Sequence, residues 1–513
     1  MWQSNRRYTR FLPPRPSSSE TINQALANFV VQAYVPMKIV EHESFRHLMQ
    51  LLNPQYEVPS RTTVRARIDQ QYDDAKKSLL SSLQGSTSVA LTTDSWTSNA
   101  TEAYLTVTAH YIKEDWSMES RILMTRAMPE RHTGENLAIR LKDCVDEFGL
   151  KGRVVACVHD NARNMDLAGR LCPDWQDLPC FDHTLQLCVK PVMDIPSVAD
   201  VMSRARKIVG HFRHSTTMTA ELRSRRVVMQ LPDHDLIQDV PTRWNSSQMM
   251  LQRLVEQRRV VTDILLNPRL TGKRDRGLLL TDAEWEIAGD VASALQDLTE
   301  ATNNMCSDTH VSSSEIYPVV CGLLINSLGC SSDDSALISR VKETLRDELK
   351  RRFRPYESET AASIPVVTSL LDIRYKRLNF LTPELKNKTR TALEGMMEEV
   401  PLRVHTRDDS QQPPTKRPRF SFLITSPTEA TNHEDELDAY MRVNCESDGD
   451  PLVWWCEHRQ RFPTIAHVAQ KLLSVPSTSV PSERVFSKTG RLVTKARNRI
   501  SHKLVDKVIF LTK

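Results

Sequence analysis

The sequence predicts an α/β segment set within an otherwise helical chain. Three observations carry this reading. Between residues 87 and 200, short runs of β-branched and apolar residues alternate with polar ones at the strand period. On both sides of that segment, apolar residues recur at helical spacing. Two of the strand-like runs end in an aspartate at a polar turn, Asp94 in LTTDSW and Asp160 in VVACVHDNARNM. At 513 residues the chain exceeds a single hydrophobic core and divides into several domains.

In chain order, residues 1–20 are polar and proline-rich and are expected to be disordered. Residues 21–86 read as a helical N-terminal segment, with apolar spacing in TINQALANFVVQAYVPMKIVEHESFRHLMQLL and one charged face in VPSRTTVRARIDQQYDDAKKSLLSSL. Residues 87–200 give strands at SVALTTDSW, AYLTVTAHYI and RILMTRAMP, a helix in TGENLAIRLKDCVDEFGL closed by Gly149, and a further strand in RVVACVHDN. Three strands, a helix and a fourth strand is the order of a ribonuclease H-like core. Helical periodicity resumes over 201–402, as in LTDAEWEIAGDVASALQDLTEATNNM. Residues 403–434, with their prolines and mixed charge, read as a disordered linker. Residues 435–513 return to helical patterning.

Composition narrows the function. The chain is 40% hydrophobic and 26% charged, with a formal charge of +4, so affinity for nucleic acid has to come from local basic patches. Its ten cysteines form no CxxC pair and no closely spaced framework, the pattern of reduced thiols inside a cell. No uncharged apolar run reaches membrane-spanning length, so no membrane is expected among the partners.

A third acid, Glu483, lies in VPSERVFS. With Asp94 and Asp160 it makes a set of three carboxylates that suggests a nucleic-acid-cutting site. A single aspartate at a strand end is commonly a turn or cap residue. The surrounding motifs LTTDSW, HDNARNM, CFDH, PTRWNS and SVPSERVFSKTGRLVTKARNRI resemble those of the hAT transposase superfamily, in particular its branch related to BED-type zinc finger proteins. The resemblance covers residues 25–513, and its last motif is the most specific. It implies a ribonuclease H-like catalytic core interrupted by a large helical insertion domain, the third acid returning on a helix after the insertion, and a C-terminal hAT dimerisation region.

The resemblance assigns the catalytic and metal-binding roles to Asp94, Asp160 and Glu483. Phosphodiester hydrolysis and strand transfer need charge neutralised at attacking and leaving oxygens, which two divalent ions about 4 Å apart supply, and hard oxygen ligands suit Mg²⁺ or Mn²⁺. Cys180 and His183 in CFDH match the family's C-x-x-H pair. One such pair lacks the four ligands of a structural zinc site, so none is expected, and the pair is read as support beside the active site. Arg243 and Trp244 in PTRWNS match the family's R-W pair, for which phosphate contact and base stacking compete with a packing role. Trp96 is a further candidate near Asp94. Arg491, Lys495, Arg497 and Arg499 adjoin Glu483 and are candidates for holding a DNA backbone, whereas Arg204 and Arg206 read better as a solvated helix face.

The tract Pro413–Arg419 resembles a nuclear-localisation signal, and the nucleus is the expected compartment. Trp454, Trp455, Phe462, Leu472, Leu473, Val508, Ile509 and Phe510 bury surface either within one subunit or between two. The resemblance implies a homodimer or higher assembly. One departure stands out: no cysteine precedes Cys144, so the N-terminal BED finger common in full-length relatives is expected to be missing. Two functions fit, a metal-dependent DNA transposase and a domesticated, non-catalytic regulator of transcription that binds DNA or chromatin partners.

Overall fold

The computed structural model describes residues 18–97, 101–273, 275–306, 310–332, 334–400, 433–492 and 500–512. The expected disorder of 1–20 and 403–434 and the tract Pro413–Arg419 therefore lie largely or wholly outside the described residues. Helices α1 (Ser19–Gln32), α2 (Glu43–Leu52) and α3 (Arg61–Gly85) open the chain. Ser18 and Ser60 start α1 and α3 by accepting backbone N–H bonds from the first turn, which satisfies donors the helix itself leaves open.

Strands β1 (Val89–Thr97), β2 (Ala103–Ile112) and β3 (Met118–Ala127) follow, then α4 (Gly134–Glu147), β4 (Val154–His159), α5 (Arg163–Arg170) and β5 (Gln176–Pro179). The sheet order is β3-β2-β1-β4-β5. The first three strands pair antiparallel, and β4 and β5 run parallel to β1. Helix α4 ends where expected, with Gly149 at φ 63° supplying the left-handed turn that a side chain disfavours. Strand β5 was not foreseen. It has four residues, two of them polar and one proline, so no alternation marks it, and its pairing with β4 alone makes it a strand.

Alternation along β1 decides what each face carries. Val89 and Leu91 enter a core with Val107, Ala109 and Cys157 and with Leu137 and Leu141 of α4. Ala90 faces the opposite way, where Ala156 and Val158 meet Leu185 and Val189 of α6 (Phe181–Met193). Thr92 and Asp94 share that second face by their even spacing. Burying both faces of β1 and β4 makes the centre of the sheet a rigid platform.

The helical region runs through α7 (Pro196–Arg213), α8 (Thr216–Val228), α9 (Trp244–Glu256), α10 (Arg258–Leu266), α11 (Asp282–Ala294), α12 (Gln296–Met305), α13 (Ile316–Gly322), α14 (Ala336–Phe353), α15 (Ser358–Ala361), α16 (Ile364–Leu371) and α17 (Pro383–Glu398). The expected border at residue 200 falls inside α7, because the helical period continues across it. The chain closes with α18 (His433–Arg442), α19 (Pro451–His458), α20 (Pro463–Leu472), α21 (Val480–Leu492) and α22 (His502–Phe510). Trp454, Trp455, Phe462, Leu472, Leu473, Val508 and Ile509 are all buried within this one chain, so they form its own core rather than a surface offered to a second subunit. Phe510 is partly buried and packs on Tyr72 and Phe148. No described helix is long and apolar enough to cross a membrane.

Candidate active site

Three elements from distant parts of the sequence converge on the outer end of β1. Asp94 lies on β1 opposite Thr106 of β2. Asp160 follows β4 directly, its Oδ1 accepting the Ala162 N–H at 3.2 Å, which fixes the turn into α5. Glu483 sits in the first turn of α21, and α21 packs against β1 and β2. The three carboxylates are near enough to act on one another electrostatically. Asp94 is 8% exposed, and burial, then the charges of Asp160 and Glu483, push its pKa up to about 7. Glu483 is also raised, by burial first and then by neighbouring carboxylates, with His183 and Arg243 working the other way. Its Oε1 is buried without a hydrogen-bond partner.

Like charges gathered in a half-buried place, with an oxygen left unpaired, are costly for the fold. Hard carboxylate oxygens of this kind match the donor chemistry of a divalent cation. Among the described residues, no three His, Cys, Asp or Glu side chains are drawn together as a ready metal cage. The acids share a site by their mutual electrostatic effect, without closing into such a cage.

Cys180 and His183 tie this site to the chain that leads into α21. Cys180 is buried at the start of α6, and its Sγ accepts the Ser479 N–H at 3.3 Å. His183 Nδ1 lies 3.8 Å from Glu483 Oε1. Burial opposes the charged form of His183, but Cys180, Glu483 and Asp94 outweigh it and its pKa rises to about 10. Asp182 between them is a further carboxylate, for which the sequence leaves a solvated turn position equally open. It is partly buried, its pKa is raised by burial, and its charge reaches Glu483. Its position in the first turn of α6, beside His183, was the signal available.

Arg243 caps the start of α9, is exposed, and its charge lowers the pKa of both Asp182 and Glu483. A guanidinium thus lies within electrostatic reach of the acid cluster. The two tryptophans are placed differently from the stacking role. Trp244 is 3% exposed within the core of the helical region, its N–H backbone group bonded to Gln186 Oε1 at 2.9 Å. Trp96 is stacked on Tyr104 and on Phe486, with centroids 5.2 and 5.4 Å apart. Trp244 packs inside the helical core, and Trp96, partly buried, packs its ring against two aromatic neighbours. Arg204 and Arg206 pair with Glu284 and Asp239, as structural ions do. Lys495, Arg497 and Arg499 lie outside the described residues, as does the side chain of Arg491.

Behind Asp160, His159 is buried between two acceptors, the Asp160 carbonyl at 2.6 Å from Nδ1 and the Asp177 carboxylate at Nε2. A Cβ at Gly169 would collide with that carboxylate, so glycine there makes room for it. This strut joins β5 to the residue carrying the second acid.

Comparison with known proteins gives three matches along the chain. Residues 92–174 match a ZBED1 RNase-like domain, 178–294 a ZBED1 RNase-like helical domain, and 436–513 the hAT family C-terminal dimerisation region. Human zinc finger BED domain-containing protein 4 is 25% identical over 96% of this chain and 43% of its own length. A putative AC transposase of Zea mays is 23% identical over 94% of this chain and 63% of its own. A putative transcriptional regulator, tpeD, of Talaromyces stipitatus is 21% identical over 95% of this chain and 61% of its own. The chain thus spans about half the length of these relatives. In these three stretches, and in relatives aligned over most of its length, the chain is similar to hAT-type transposases and to BED-type zinc finger proteins.

Proposed function

We propose that this chain is a nuclear, DNA-binding and self-associating protein of the hAT type, with a ribonuclease H-like core that cuts and transfers DNA strands. The observation that carries the reading is the convergence of Asp94, Asp160 and Glu483 from β1, β4 and α21, uncompensated by any arginine or lysine bonded to them among the described residues. Acids that the fold gathers at its own expense mark a functional site more often than a structural one. In this reading the helical region between β5 and α21 is an insertion that the core folds around.

Asp94, Asp160 and Glu483 would hold Mg²⁺ or Mn²⁺ through hard oxygens. Divalent cations bound there supply charge neutralisation at the attacking and leaving oxygens of a phosphodiester. The chain's own groups do the rest. β1 and β4 hold two carboxylates on a stiff sheet, α21 brings the third, and Arg243 at the rim attracts a phosphate toward them. Dimerisation is assigned to the C-terminal region on the strength of the matching family description.

A second reading, a domesticated regulator that binds DNA or chromatin without cutting it, draws on two observations. The acids are not closed into a metal cage among the described residues, and relatives of similar coverage include one named as a transcriptional regulator. Cleavage and strand transfer on supercoiled plasmid with Mg²⁺ or Mn²⁺ separates the two. Glu483→Gln, nearly isosteric, should lose metal-dependent nicking by about a thousandfold or more while staying folded. Equal inactivity of a folded wild type and the variant, beside a working control nuclease, would favour the regulator.

A further inference from the structure

Helix α21 is held on the sheet by hydroxyl groups as well as by apolar contact. Thr92 Oγ1 lies 2.8 Å from Ser482 Oγ and 3.2 Å from His110 Nε2, and Ser482 Oγ reaches Thr108 Oγ1 at 3.3 Å. Ser482, Thr92 and His110 are 0% exposed. Apolar packing by Val485 and Leu492 is non-directional and lets a helix slide by a fraction of an ångström at small cost, whereas a buried hydrogen bond weakens steeply with distance and angle.

The position of this bond in the sequence matters more than its strength. Thr92 precedes Asp94 by two residues and so shares its face of β1; Ser482 directly precedes Glu483. One hydrogen bond therefore joins the two elements beside both acids. The chain entering α21 is held as well: Ser477 N–H donates to Ser312 Oγ at 3.0 Å, Ser477 Oγ to the Met305 carbonyl at 3.0 Å, and Phe181 N–H to the Ser477 carbonyl at 2.9 Å. With Ser479 bonded to Cys180, the helix arrives along a fixed path and Ser482 sets where it stops.

We propose that Ser482, through Thr92, is a positioning residue that holds Glu483 in register with Asp94. It rests on the reading of the three acids as a cation site, and Ser482 itself touches neither cation nor DNA.

The test uses the full chain and three variants. Thr92→Val removes the hydroxyl at constant shape, Ser482→Cys weakens the bond at nearly constant volume, and Thr92→Ser restores a hydroxyl. Two readouts are taken: hydrogen exchange of the amides of residues 480–486 without metal, and Mn²⁺ affinity by electron paramagnetic resonance. Losing one buried hydrogen bond is worth about tenfold. Thr92→Val and Ser482→Cys should each exchange about tenfold faster in α21 and bind Mn²⁺ about tenfold more weakly, with α4 protected as before, and Thr92→Ser should return toward wild type in both. Unchanged exchange in Thr92→Val overturns the proposal, and so does a general loss of protection with Mn²⁺ affinity intact, the mark of a merely structural bond. A wild type that binds no Mn²⁺ counts against the cation site alone, and the exchange comparison then decides the register.

Discussion

Two regions of the sheet gather charged side chains, and they differ in whether the charge is answered. At one, Asp94, Asp160 and Glu483 act on one another, and the charges of His183 and Arg243 work against their mutual repulsion. At the other, Lys76 of α3, Arg126 of β3, Glu147 of α4 and Asp506 of α22 form a closed network. Arg126 Nη1 lies 2.7 Å from Glu147 Oε2, Arg126 Nε 3.1 Å from Asp506 Oδ2, and Lys76 Nζ 2.5 Å from Glu147 Oε1. Asp506 also accepts the Thr125 N–H at 2.7 Å, which closes a donor on the outer edge of β3. The Arg126 bonds, helped by Lys76, pull the Glu147 pKa down to about 2 against burial, while the Asp94 pKa climbs to about 7. Both regions tie distant parts of the chain together. The paired one helps hold the fold, whereas the unpaired one is the site proposed above to hold a cation.

The sharpest way to break this contrast is to remove the cation from the paired region. Arg126→Met leaves the buried Asp506 with one N–H partner and should destabilise the protein by about 2–4 kcal/mol in urea titrations. A neutral result would mean that the network is not holding α22 to the sheet.

The opposite sign is expected at the unpaired region. Because the pKa of Asp94 is raised in the folded protein, the native state holds the proton more tightly than the unfolded chain, and stability falls as pH climbs from about 4 through about 7. Asp94→Asn should therefore raise stability by about 1–2 kcal/mol at pH 8, with the gain fading toward pH 4. Melting curves across that range check the sign, and destabilisation at pH 8 would count against an uncompensated site.

The smallest effect is at Glu147. Its lowered pKa gives stability that is complete above the ordinary glutamate value of 4.5 and is lost as pH falls toward about 2. Glu147→Gln should cost about 1 kcal/mol at pH 7 and nothing measurable near pH 2. A gap that stays constant with pH would assign the loss to shape rather than charge.

Much of the fold was legible because its signals are local. β1 and β4 announce themselves as apolar runs ending at an aspartate, β2 by alternation and β-branched residues, and α4 by its spacing and Gly149. β5 was not, since Gln176–Pro179 has no pattern of its own and takes its state from β4. In the candidate site, Asp94 and Asp160 stand out as acids ending apolar runs, whereas Glu483 has no such run before it and its catalytic role rests on the resemblance of its motif. Asp182 stayed open, because nothing around it in the sequence separates a solvated turn residue from one whose charge reaches Glu483. For Trp244 the motif left base stacking and packing both open, and its burial in the helical core fits packing.

The sequence by itself determined the kinds of element and their order, because hydrophobic period and turn chemistry act over a few residues. It also determined which carboxylates were available. Only the tertiary structure decided which of them met and which were answered by a partner, because Arg126 and Asp506 are separated along the chain by most of its length, as are Thr92 and Ser482. Charge and hydrogen bonding act through space, over a few ångströms, and no period in the sequence records that distance.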